Sequence, residues 1–213
     1  MTSIASAYRR PNGLMMTLMI LGGIDLLLGM GLVVLTAVGL GQVPHLDRLG
    51  LLNFVGLGSV LFMVLIAVRL GEVTVRAVWT RRLVRNIHLF HAFPVSSLWA
   101  WAGFVMPVVS LWMPAQTLLA LAAAAQRPSR GLSLSCLAWA LARWVTCPSG
   151  AFVAFAALVI VIRHNWRPEY SLLTLLTLAV PGVISAALGL VITPWIARRQ
   201  PGPDQIHHAE VFT

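Results

Sequence analysis

Apolar and polar positions fall into long blocks along this chain. Five apolar runs occupy Leu14–Leu40, Leu49–Val68, Val95–Gln126, Leu132–Ile162 and Ser171–Ala197, and the only full charges inside them are Asp25 and Arg143. About 20 apolar residues of helix suffice to cross a hydrocarbon core of about 30 Å. The pattern therefore predicts an all-α, polytopic transmembrane helix bundle. A polar arm at residues 1–13 precedes a single helical domain over residues 14–197, and a flexible polar tail over 198–213 follows it. The first run is too long for the apolar core of a cleaved signal peptide, which is about 7–15 residues, so it is expected to stay as a span.

The runs differ in ways that bear on topology. Pro44 stops the first helix in the short turn before Leu49. No proline follows until Pro94, so the second helix is expected to continue past Val68 through Arg69, Glu72, Arg76, Arg81, Arg82 and Arg85. That stretch reads as a basic amphipathic extension leaving the membrane or lying on its surface. The third run carries Pro107 and Pro114, and its 32 residues would reach roughly 48 Å as one straight helix. It is expected to kink at both prolines and to be re-entrant or interfacial. Pro181 is a further expected kink in the fifth run. If the third run returns to its own side, eleven arginines lie on one face of the membrane and three on the other. Five plain crossings would give nine against five. The positive-inside rule favours the first arrangement: four crossings plus one kinked segment, with both termini cytoplasmic. Five crossings are the alternative.

The stretch Arg81-Arg82-Leu83-Val84-Arg85-Asn86 and the later box Pro107-Val108-Val109-Ser110-Leu111-Trp112-Met113-Pro114-Ala115-Gln116 resemble a bacterial membrane family, the domain of unknown function 4328. The closing Ile196-Ala197-Arg198-Arg199-Gln200 is also similar to that family's last helix end. Ser110 and Ala115 stand where the family usually has Asn and Tyr. The resemblance implies a multi-span bacterial membrane protein and no particular activity.

Composition narrows the function classes. Apolar residues make up 59% of the 213 residues, mean hydropathy is +0.86, and charged residues are only 10%. All fifteen basic residues are arginine, against six acids. Arginines flanking spans set orientation and meet anionic head groups, so the basic excess does not point to nucleic acid. Cys136 and Cys147, eleven residues apart on one helix, would be separated by roughly 16 Å, too far for a disulfide.

Candidate chemistry is sparse. Asp25 and Arg143 each lie near the middle of a run, where an ionisable group costs about 2.5–3.5 kcal/mol unless paired or wet. They are expected to form a structural intramembrane pair between the first and fourth spans. The alternatives are an Arg143 that snorkels to head groups and an ion or proton relay. His88 and His91, three apart, are candidate ligands for haem iron, a chlorophyll-type magnesium or zinc, or else interfacial polar contacts. Trp99, Trp101 and Trp112 either line a cofactor pocket beside the kinked segment or anchor the chain at the membrane interface. Gly182, Ser185, Ala186 and Gly189 have the four-residue spacing that lets helix backbones approach.

No phosphate-binding loop, no zinc-protease or paired-cysteine motif and no nucleophile elbow occurs. No metal site and no catalytic residues are expected, and no cofactor is required. The pattern therefore favours a non-catalytic inner-membrane protein, an accessory or scaffold subunit contacting other membrane subunits and phospholipids. A carrier of haem, quinone, pigment or lipid near the Trp/Pro segment is one alternative. A small transporter or channel using Asp25 and Arg143 is another.

Overall fold

The computed structural model describes residues 12–45, 47–89, 94–105, 112–123, 130–146 and 168–198. The described residues are helical, with short turns. Six helices follow in order: α1 (Asn12–Gln42), α2 (Arg48–His88), α3 (Ser97–Val105), α4 (Met113–Ala123), α5 (Arg130–Thr146) and α6 (Pro168–Arg198). Three of them, α1, α2 and α6, are long and apolar enough to cross a membrane. The chain is a multi-pass membrane protein with an all-α bundle.

Local chemistry sets the helix ends. Asp47 caps α2, its carboxylate accepting from the Gly50 amide at 2.8 Å. Pro168 opens α6 at a position where a missing amide proton costs nothing. Hydroxyls inside the helices bond back to carbonyls of the preceding turn: Thr36 to Leu32 at 2.8 Å, Ser59 to Val55 at 2.7 Å, and Thr193 to Gly189 at 2.6 Å. Such bonds satisfy polar groups where no water is available.

The three long helices share one packing rule. The buried positions of α1 are Leu18, Gly22, Asp25, Gly29, Leu32, Thr36 and Gly39. Those of α6 include Leu172, Leu175, Ala179, Gly182, Ala186, Gly189, Thr193 and Ile196. The inner face of α2 follows Gly58, Phe62, Leu65, Arg69, Glu72, Arg76, Thr80, Leu83 and Ile87. The α1 and α6 series alternate steps of three and four, and the α2 series does so apart from two successive steps of four at Glu72–Arg76–Thr80; this is the 3.5-residue seam of helices that wind together left-handedly. The sequence pattern hides this seam because Gly, Thr, Asp, Arg and Glu occupy it and the outward faces are equally apolar. Glycines on the seam allow close approach. A Cβ at Gly29 would come within 2.9 Å of Val183, one at Gly22 within 3.1 Å of Leu190, and one at Gly39 within 3.1 Å of Leu172.

These neighbours also fix direction. Against α1, residues 22, 29 and 39 meet 190, 183 and 172, so α1 and α6 are antiparallel. Against α2, Gly58 meets Leu175, while Gly182 and Gly189 meet Arg69 and Arg76. Thus α2 and α6 are parallel. If both cross the membrane, the chain between them crosses an odd number of times. That agrees with four crossings rather than five.

The long third run is not one span. It forms α3 and α4, nine and eleven residues long, roughly 14 and 17 Å, both too short to cross. The start of α4 folds back on the end of α3, since a Cβ at Gly103 would meet Met113 at 2.7 Å. Pro114 does not kink a helix as expected; it lies in the first turn of α4, where proline fits. Helix α6 runs unbroken through Pro181 and Pro194. Pro107, the end of the fourth run and residues 1–11 and 199–213 lie outside the described residues; the last two residues of the expected arm, Asn12 and Gly13, already belong to α1, and Arg198 of the expected tail ends α6.

Candidate functional site: a buried charge network

Four charged side chains occupy the seam where α1, α2 and α6 meet. Asp25 of α1 accepts from the Arg69 Nε of α2 at 2.9 Å. One turn on, Glu72 accepts from Arg76 through both Nε and Nη2, the shorter contact being 2.6 Å. The Arg76 Nη1 donates to Thr193 Oγ1 of α6 at 3.1 Å. Asp25 is 3% exposed, Glu72 5% and Arg76 2%. Isolated charges would not be stable at such burial; each carboxylate here lies against a guanidinium, which offsets much of the desolvation cost.

Glycines of α6 make room for the two guanidinium groups. A Cβ at Gly182 would overlap the Arg69 guanidinium, and one at Gly189 would lie 3.0 Å from Arg76 Nη2. Arg69 and Arg76 are seven residues apart, as are Gly182 and Gly189, so the two helices match with the same period. Ser185 and Ala186 are buried between them, and the four small residues expected to serve helix packing all face the bundle.

Helix α5 closes the network on another side. The Arg76 and Arg143 guanidinium carbons stand 5.1 and 5.0 Å from the centroid of the Trp139 ring. Arg143 also lies 5.9 Å from the Phe104 ring of α3. Two guanidinium groups on one indole are each favoured by its ring quadrupole. The Arg143 charge also acts on Asp25 and Glu72.

This geometry corrects two expectations. The direct partner of Asp25 is Arg69, not Arg143, so the ion pair joins α1 to α2 rather than the first span to the fourth. Arg69, Glu72 and Arg76 do not form the polar face of a surface helix; they turn inward to the bundle. Their steps of three and four put them on the face already used by Phe62 and Leu65, a signal present in the spacing.

The outward face of α2 shows where these charges lie. It carries exposed Leu52, Val60, Met63, Leu70 and Val78, then exposed Arg81 and Arg85. This face changes from apolar to basic between Val78 and Arg81, the order expected where a helix leaves the hydrocarbon layer. Arg76 lies five residues before Arg81 and Arg69 twelve, roughly 8 and 18 Å along the helix.

The remaining candidate residues that the structure describes lie at the end of α2, on α3 and just before α4. Trp99, Trp101 and Trp112 are 49%, 36% and 48% exposed, as interfacial anchors are. His88 is exposed at the end of α2, where its Nε2 donates to the Val95 carbonyl at 3.0 Å. That bond ties the start of α3 to α2. His91 lies outside the described residues. Cys136 is buried and unbridged. No cluster of three or more metal-ligating side chains occurs among the described residues.

No protein family matches this chain, and no curated protein and no solved structure is similar to it.

Proposed function

We propose that the protein is a non-catalytic accessory or scaffold subunit of a larger assembly in a bacterial cytoplasmic membrane. The supporting observation is the use made of its intramembrane charges. The Asp25–Arg69 pair joins α1 to α2, and the Arg76 of the Glu72–Arg76 pair within α2 donates to Thr193 of α6; Asp25, Glu72 and Arg76 are almost wholly buried. A conducting path needs ionisable groups that meet water or a substrate. Charges spent on cross-links between helices hold a fixed shape, which is what a scaffold needs.

The parallel and antiparallel packing brings the start of α1 and the ends of α2 and α6 to one end of the bundle. Arg9, Arg10, Arg81, Arg82, Arg85, Arg198 and Arg199 belong to those chain segments. By the positive-inside rule this end is cytoplasmic, with both termini on that side.

The test is isolation of the tagged chain from its native membrane in mild detergent, with the co-purifying proteins identified by mass spectrometry. A stoichiometric membrane-protein partner is expected. Recovery only as a lone monomer, with its helices intact, would exclude the subunit role.

A further inference from the structure

We infer that the outward face of α2 at its basic end is a binding site for an anionic phospholipid. Leu70, Thr74, Val78, Arg81, Arg85 and His88 are all exposed on α2. At 100° per residue they fall within an arc of about 80°, a single column on the helix surface. The column is uncharged as far as Val78, the Thr74 hydroxyl bonding back to the Leu70 carbonyl at 2.9 Å, and basic from Arg81. A phospholipid has the same order along its length, with acyl chains beneath a phosphate.

Arg81 and Arg85 are four residues apart, so both guanidinium groups can reach one head group. Arginine suits this task because its planar fork can give two parallel bonds to a phosphate. The neighbouring helix supports the placement. The His88–Val95 bond holds the start of α3 at this end, and α3 carries exposed Leu98, Trp99 and Trp101. Indoles at that level favour the head-group layer. The charge of the column selects an anionic lipid over a zwitterionic one. The inference does not depend on the subunit role; it needs only that α2 crosses the membrane edge near Arg81.

The experiment uses the full chain in phosphatidylcholine nanodiscs containing a minor fraction of phosphatidylglycerol, with retained lipids identified by native mass spectrometry. The wild type should retain phosphatidylglycerol in preference to phosphatidylcholine. The Arg81→Gln/Arg85→Gln double variant should retain it roughly thirtyfold less well, the loss expected for two surface guanidinium groups. Both substitutions are at exposed positions, and helicity by circular dichroism checks the fold. Equal retention by variant and wild type, or no preference between the two lipids, would overturn the assignment. In the wild type, rising sodium chloride should strip phosphatidylglycerol progressively; salt-independent retention would overturn it without any variant. At matched ionic strength, inorganic phosphate should displace no more lipid than chloride does. Selective displacement by phosphate would mean that the site recognises the free anion and would end the lipid assignment.

Discussion

Gly182 has a steric role that no other residue could fill without moving Arg69. Replacing it with alanine puts a methyl group where the guanidinium lies, so either the ion pair with Asp25 or the contact between α2 and α6 must give. Overpacking of this kind costs about 1–3 kcal/mol. Gly182→Ala should lower the thermal midpoint of the detergent-solubilised protein, whereas Gly56→Ala, with nothing within 4 Å of the added methyl, should leave it unchanged or raise it slightly. The Asp25–Arg69 pair is tested by a double-mutant cycle in unfolding titrations. Asp25→Asn and Arg69→Gln should each destabilise, and the double change should be milder than their sum by at least about 1 kcal/mol. The cycle of Asp25→Asn with Arg143→Gln should show a coupling several-fold smaller, because Arg143 stacks on Trp139 and Phe104 rather than bonding Asp25. An equal coupling in the two cycles would contradict this geometry. The charge at Asp25 is evident in the sequence because it interrupts an apolar run. Its partner is not, because Arg69 sits just past the end of a run and looks solvated.

At the level of the element, α2 shows what sequence patterning can and cannot reveal. Its 41 residues read as one apolar span followed by a basic extension. The continuity of the helix was legible from the missing prolines. The inward turn of its charges was not, since a polar helix face packed on glycines and one facing water have the same composition. What separates them is phase: Arg69, Glu72 and Arg76 share a face with Leu65, while Arg81 and Arg85 share one with Met63 and Leu70. Single cysteines carrying spin labels should read this phase directly. Labels at Met63, Leu70 and Val78 should be accessible to oxygen in the bilayer, and labels at Arg81 and Arg85 to a water-soluble nickel complex. An aqueous signal at Leu70 would place the membrane edge elsewhere. The third run was legible as non-spanning from its length and prolines. The role of Pro114 is not legible in the sequence, because a proline in a first turn and one inside a helix look alike until the helix start is known.

For the whole molecule, relative helix direction decides topology. Because α2 and α6 are parallel, the turn before α2 and the start of α6 belong to the same end of the bundle. Topology reporters inserted at His45 and just before Pro168 should therefore report one side of the membrane, and reporters at the two termini the other. Opposite sides for His45 and the start of α6 would require the five-crossing arrangement. Arginine counting had already favoured four crossings, since eleven against three is a steeper bias than nine against five. The shared seam was beyond that count, as was the meeting of α1, α2 and α6 around one set of charges. Both depend on side chains that are individually unremarkable and matter only in register.

The match between Arg69 and Arg76 on one helix and Gly182 and Gly189 on another restricts how this bundle can move. Sliding α6 by a single turn would bring Ser185 or Ala186 against Arg69, and Ile192 or Thr193 against Arg76, with no notch to receive either head. An axial slide of that size would have to displace both guanidinium heads at once, so the two notches set the height of α6 against α2.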